Sequence, residues 1–162
     1  MRTCCTDELN SLVFPMILAD HEIRVLAELG MVTPFNSALL NPASLDVRLG
    51  STLLIERAGD PAMVAFPLCD CSQEEPFWLL PGQFVLAQTM ETFHLPNHIA
   101  AQFTLKSSRA REGLEHLMAG YCDPGWHGSV LTLELHNSRQ LHSVALWPGM
   151  KIGQMVFYRI CL

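Results

Sequence analysis

The sequence predicts a mainly β domain, a barrel or sandwich carrying one or two short helices, on three observations. From residue 44 onward, short runs of alternating apolar and polar residues are broken by Gly, Pro and Asn. The pairs Pro81-Gly82 and Pro148-Gly149 each fall between two strand-like runs. Pro presets the first central position of a turn and Gly supplies positive φ at the second, so both read as hairpin corners. Helical periodicity is confined to two short stretches.

In chain order, residues 1–15 have no clear period and are predicted to form an N-terminal extension, with the β domain spanning 16–162. In ILADHEIRVLAELGMV, residues Ile23, Leu26, Ala27 and Leu29 make one face of an amphipathic helix, with Asp20 as its N-cap and Gly30 as its stop. Strands are expected in 45–56, in 77–96, in 99–106, in 128–137 and in 144–160. A second short helical signal begins after Lys106 and ends at Gly113. Asp123-Pro124-Gly125 has the composition of another turn.

A chain of 162 residues fits one domain, burying roughly 70% of its unfolded surface. The formal charge is −6, with ten Lys plus Arg and no basic run, which argues against a nucleic-acid polymer as partner. A free nucleotide needs only a local cluster, and Lys106, Arg109 and Arg111 fall within six residues. Taken alone, that cluster reads first as a solvated helix end. The six cysteines form no spaced framework and no signal peptide precedes the domain, so reduced thiols and a cytoplasmic location are expected. No apolar run is long enough to span a membrane. Hydrophobic content of 49% and mean hydropathy of +0.22 are high for a small monomer, which predicts that other subunits cover some apolar surface.

Chemistry-bearing residues concentrate in KSSRAREGLEHLMAGYCDPGWHGSVLTLELHN, 106–137. Lys106, Ser107 and Ser108 open the second helix, where free N–H groups, hydroxyls and a cation favour phosphate. Ser107 and Arg111, four apart, share a helical face. Alternation over 130–135 places Thr132, Glu134 and His136 on one strand face, opposite Leu131, Leu133 and Leu135. An isolated strand Glu is usually just solvated, and His116 reads first as a loop or core histidine. Asp46 and Arg48, two apart on a strand, read as a structural ion pair.

These segments resemble the dCTP deaminase family of the dUTPase-like trimeric fold over about 16–160, nearly the whole chain. The resemblance rests on four ordered motifs: NPASLDVRLG at 41–50, PGQFVLAQTMETFHLPNHIAAQFTLKSSRAREGL at 81–114, MAGYCDPGWHGSVLTLELHN at 118–137 and LWPGMKIGQMVF at 146–157. It implies a distorted dUTPase-like β-barrel of the β-clip type, assembled as a homotrimer with active sites at subunit boundaries. The implied reaction is hydrolytic deamination of dCTP to dUTP and ammonia, with Mg²⁺ carried by the triphosphate. By the same resemblance Glu134 is the proton shuttle, and Ser107 and Arg111 are its catalytic partners. Substrate-binding positions carry over to Lys106, Ser108, Ala119, Gly120, Asp123, Trp126 and Gln154; for Trp126, barrel packing is an equal reading. Zinc-dependent nucleoside deaminases need H-x-E with P-C-x-x-C, and the chain has neither, so no protein-bound metal is expected. A poor electrophile such as C4 of cytosine then requires a positioned carboxylate to move protons.

The sequence departs from the family pattern in three respects. It stops at Leu162, where many members continue into a glycine-containing tail that folds over the triphosphate, which predicts weaker binding or a substitute for that closure. Met118 stands before Ala119-Gly120 where the family usually has Thr. Spacing is one residue short between Leu114 and His116 and one long between Gly128 and Glu134. Rival readings are a dUTPase, a bifunctional enzyme that also hydrolyses dUTP, and a non-catalytic nucleotide-sensing trimer.

Overall fold

Alternation along the chain is realised as thirteen strands and two short helices over residues 17–160, the part that the computed structural model describes. The expected extension at 1–15 lies outside the described residues. Helix α1 (Asp20–Leu26) begins one residue earlier than predicted: Ala19 is the N-cap and Asp20 the first helical residue. The shift arises because Glu22 reaches back to accept from Ala19 N (3.1 Å), while the Asp20 carboxylate takes the N–H of His21 (2.7 Å). A π-type turn over Ala27–Met31 follows and ends at Gly30, φ 99°. Ile23 and Ala27 are buried as expected, whereas Leu29, expected on the same face, is 81% exposed because this wider turn rotates it outward.

The remaining elements are β1 (Val32–Thr33), β2 (Leu40–Asn41), β3 (Ser44–Arg48), β4 (Thr52–Arg57), β5 (Asp60–Pro67), β6 (Phe77–Leu79), β7 (Phe84–His94), β8 (Ile99–Leu105), α2 (Ser107–Arg111), β9 (Leu114–His116), β10 (Tyr121–Cys122), β11 (His127–Asn137), β12 (Val144–Leu146) and β13 (Lys151–Arg159). One sheet runs β5-β4-β7-β11-β9, with β1 paired to β7, and the other runs β10-β8-β13-β3-β2. Strands β6 and β12 form a separate ribbon. Both sheets turn their apolar positions inward onto one core, to which β7 gives Val85 and Phe93, β11 gives Leu133 and Leu135, and β13 gives Ile152 and Phe157. The predicted mainly β architecture with short helices is thus present.

The Pro-Gly corners need correction. Gly82 and Gly149 do adopt positive φ, 72° and 80°, in tight turns closed by Gln83 N to Leu80 O and Met150 N to Trp147 O. The flanking strands do not pair with each other, because β6 pairs with β12, and each corner instead turns the chain out of that ribbon and into a main sheet. Strand β5 pairs with β4 although its sequence, DPAMVAFP, carries two prolines; it is the edge of its sheet, where missing N–H donors are tolerated.

Asn137, fully buried at the end of β11, ties three parts of the chain together. Its Nδ2 donates to Leu79 O (2.9 Å) and His142 O (3.0 Å), and its Oδ1 accepts from Arg139 N (2.9 Å). Truncation orphans these groups, so Asn137→Ala is expected to lower unfolding free energy by about 2–3 kcal/mol. Urea unfolding of the variant checks this, and a loss below about 0.5 kcal/mol would contradict the assigned role.

Candidate active site

Glu134 stands on β11 as the alternation requires: Leu131, Leu133 and Leu135 are buried while Thr132, Glu134 and His136 occupy the other face. Its Oε2 is shielded from solvent and has no hydrogen-bond partner among the described residues. The neighbouring polar atom is His116 Nε2, 3.3 Å away and also without a hydrogen bond of good geometry. His116 ends β9, lies across from Leu135 in the ladder, and tilts against the ring of Phe103, with centroids 4.7 Å apart. The core reading of this histidine is therefore right about its burial, yet the residue also touches the candidate carboxylate.

Burial pushes the His116 imidazole below its ordinary value of 6.5; the Glu134 carboxylate pulls it back up, but less strongly. At neutral pH the imidazole beside the Glu134 carboxyl group is accordingly neutral. Gln102, Phe103, Thr104, Leu105, His116 and Met118 line an adjoining cleft of about 380 Å³. Gly120 sets one wall, since a Cβ there would come within 2.7 Å of Phe103 Cβ, and its carbonyl accepts Phe103 N (2.8 Å). Met118 holds φ 63° with its side chain 88% exposed at this cleft, an unusual backbone state for a non-glycine residue. Ala119 is exposed beside it.

The serine and arginine lie on α2, which carries the chain from β8 in one sheet to β9 in the other. Ser107 and Arg111, its first and last residues, are both exposed, and Ser108 is half-buried. Gly113 ends the helix at φ 94°, as expected. Neither Ser107 nor Arg111 hydrogen-bonds or ion-pairs with Glu134 among the described residues. Lys106 is engaged with buried Asp46, Nζ to Oδ1 2.6 Å. One such contact uses one of three ammonium donors, so its others stay free to reach an anion. Arg109 pairs with Glu112 (2.7 Å) and covers Trp147, its guanidinium carbon 5.7 Å from the ring centroid.

Asp46 and Arg48 do not pair with each other, contrary to the expectation from their spacing. Asp46 takes Lys106, Asn41 (2.9 Å) and Lys151 (3.1 Å), and Arg48 Nε donates to fully buried Glu91 at 2.7 Å. A shared strand face sets neither partner: Asp46 and Arg48 each find opposite charge on other parts of the chain. Burial raises the Asp46 pKa, but the hydrogen bonds from Lys106, Asn41 and Lys151 outweigh it and hold the carboxyl below its ordinary range. Gln154 is half-buried on β13, opposite Asp46 and Thr104, and accepts from Ser44 Oγ (3.3 Å). Asp123 is exposed and opens a turn closed by Trp126 N to Asp123 O (3.1 Å), with Gly125 at φ 80°. Trp126 is half-buried and stacks on Phe93 (6.1 Å between centroids), so the packing reading has a structural counterpart. Sequence reasoning missed the Glu91–Arg48 pair, the Lys151 contact and the closeness of His116 to Glu134. None carries a local signal, because the partners are brought together by tertiary pairing.

The domain is mainly β, with an under-partnered carboxyl group next to His116 of the cleft and with Ser and Arg on the helix that joins the two sheets. The chain belongs to the dCTP deaminase-like family, whose model matches residues 17–160. It is 44% identical over 156 residues to a dCTP deaminase, dUMP-forming, of Acidothermus cellulolyticus, covering 89% of this chain and 80% of that protein. It is 39% identical over 156 residues to the protein of the same name from Corynebacterium diphtheriae, covering 90% and 82%. Among solved structures, the 2'-deoxycytidine 5'-triphosphate deaminase of Agrobacterium tumefaciens matches with a TM-score of 0.70 at 25% identity, over 89% of this chain. The chain spans about half of that protein, 48% of its length.

The lowered His116 pKa fixes a pH dependence. Below pH 6.5 the unfolded chain binds a proton at this position that the folded chain resists, so stability falls as pH drops from 6.5 toward the folded value. His116→Gln is expected to lose less stability between pH 7.5 and pH 5 than the wild type. Urea unfolding at both pH values checks it, and parallel losses in the two proteins would refute the assignment.

Proposed function

We propose that this chain is a hydrolase that deaminates dCTP, with water adding to C4 and ammonia leaving to give dUTP. The observation that carries the reading is Glu134 on β11, whose shielded carboxylate oxygen has no hydrogen-bond partner among the described residues. Glu134 takes a proton from the attacking water and delivers protons to N3 and to the departing amine. Ser107 orients the water, and Arg111 stabilises charge developing at C4. Lys106 and Ser108 serve the phosphates, Asp123 the sugar 3′-hydroxyl, and Ala119, Gly120 and Gln154 the nucleotide's remaining edges. Trp126 acts through its packing on Phe93.

In this reading Mg²⁺ rides on the triphosphate oxygens and the proton chemistry needs no zinc. Among the described residues no group of three or more His, Cys, Asp or Glu stands at metal-holding distance. A homotrimer with shared sites accounts for the lack of contact between Ser107 or Arg111 and Glu134 within one chain. It also accounts for the exposed Leu117, Met118 and Tyr121 flanking the cleft. No helix among the described residues is long and apolar enough to cross a membrane, in keeping with a cytoplasmic role in supplying dUTP.

A second reading is favoured by the names of the relatives at 39–44% identity, both dUMP-forming. In it, dUTP reacts with a further water to give dUMP and pyrophosphate at the same site. Anion-exchange analysis of dCTP incubated with Mg²⁺ separates the outcomes. Appearance of dUTP supports deamination alone, dUMP with pyrophosphate supports the coupled reaction, and unaltered dCTP overturns both. Glu134→Gln is expected to slow ammonia release by about 10²–10⁴-fold while leaving the fold intact by circular dichroism.

Mixing Glu134→Gln with Ser107→Ala subunits tests the shared site. Random mixed trimers should regain about a quarter of wild-type activity, since one boundary in four unites both native residues. No recovery after verified subunit exchange would place both residues within one chain.

A further inference from the structure

Where β8 runs into α2 and β13 begins, two lysines meet over one buried carboxylate. Asp46, on β3 and 2% exposed, has Lys106 Nζ 2.6 Å from Oδ1 and Lys151 Nζ 3.1 Å from Oδ2, while Asn41 Nδ2 donates to Oδ1 at 2.9 Å. The backbone fixes this meeting: Lys106 N donates to Ile152 O (3.0 Å), and Lys151 is the register partner of Arg48. Arg48 brings a third positive charge close by, but its Nε is bonded to fully buried Glu91 at 2.7 Å, so that pair is balanced. The lysines are not balanced, because two ammonium groups share one carboxylate. Their side chains are 28% (Lys106) and 49% (Lys151) exposed, so dissolved ions reach both.

Compensating a buried carboxylate takes one cation and hydrogen bonds to its remaining lone pairs, which Lys106 and Asn41 already supply. Lys151 exceeds that need. Two like charges repel, and the carboxylate between them offsets the repulsion while leaving one net positive charge. Each ammonium uses one of its three donors on Asp46 and keeps the others for an anion. A phosphate, with several charged oxygens, can engage both ammonium groups at once, which a neutral ligand cannot. We propose that Lys151 is a second phosphate ligand, acting with Lys106 to hold the polyphosphate end of a nucleotide beside Ser107 and Ser108. Asp46 is the positioning residue that keeps the two cations together. This role rests on the phosphate-binding reading of Lys106 and Ser108, and it extends that reading from α2 to β13.

The test is calorimetric titration of inorganic tripolyphosphate into the full chain, alongside Lys151→Gln and Lys151→Arg, with Arg57→Gln at the exposed end of β4 as the control for net charge. Expected are saturable binding by the wild type, at least about fivefold weaker binding in Lys151→Gln, recovery to within about twofold in Lys151→Arg, and no change in the control. The Tm of Lys151→Gln should stay within about 3 °C of the wild type, because a half-exposed pair contributes little and Lys106 and Asn41 still compensate Asp46. Absence of saturable binding by the wild type overturns the proposal, as does undiminished binding in Lys151→Gln, a loss that Lys151→Arg does not restore, or an equal loss in the control. A lowered Tm with unchanged affinity would assign Lys151 to Asp46 alone. Tripolyphosphate binding needs no turnover, so the two readings fail separately. If the wild type leaves dCTP unaltered while Lys151→Gln weakens tripolyphosphate, deamination is lost and the phosphate role stands; if dCTP is deaminated and Lys151→Gln changes neither its KM nor tripolyphosphate affinity, the role of Lys151 alone is lost.

Discussion

Antiparallel pairing of β7 with β11 is the constraint on which the rest of the structure depends. Both strands run eleven residues, and each alternates so that a one-residue slip would exchange its faces. Slipped, Glu134 would enter the core and Leu133 and Leu135 would meet solvent. The ladder is not regular, breaking step between Val130 and Thr132. Thr89 repairs the break: its hydroxyl accepts Leu131 N (2.9 Å) and donates to Glu91 O (2.8 Å), within a buried setting. That hydroxyl satisfies an N–H the irregular ladder would otherwise strand, and so pins the register that aims Glu134.

Three carboxylates with little solvent exposure show why one of them reads as functional. Glu91 accepts both the backbone N–H (2.9 Å) and the guanidinium of Arg48, and Asp46 gathers two lysines and an asparagine. Burying a carboxylate without such partners is costly, and these two are compensated on every side. Glu134 differs: among the described residues it has a largely neutral imidazole at 3.3 Å and an oxygen with no donor. An under-satisfied acid held in place by a rigid ladder is suited to exchanging protons. A fully compensated one is suited to holding strands.

What the sequence made legible was whatever has a local cause. The leucine alternation around Glu134, the glycine that ends α2 and the Pro-Gly turns all appear where chain-local rules put them. Four ordered motifs carried the family and hence the candidate site. Illegible features were those decided across the sheets: Arg48 pairs with Glu91 forty-three positions away, and β6 joins β12 rather than the strand after its turn. Leu29 shows the same limit on a small scale. Helical spacing placed it inward, and a single wider turn before Gly30 moved it to solvent.

The two halves of the candidate site are secured by different physics. Glu134 is placed by strand register, a cooperative and largely salt-insensitive restraint. Ser107 and Arg111 lie on a five-residue helix, too short to be stable alone, so its position must come from tertiary anchors. Lys106 on Asp46 holds one end, and Arg109 against Glu112 and Trp147 holds the outer face. Donors from Lys106, Asn41 and Lys151 hold the Asp46 carboxyl below its ordinary range, so the first anchor persists into acid. Acid thus reaches the two halves of the site through different groups: the neighbour of Glu134 through a histidine whose pKa burial lowers, and the helix bearing Ser107 and Arg111 through an ion pair that persists into acid.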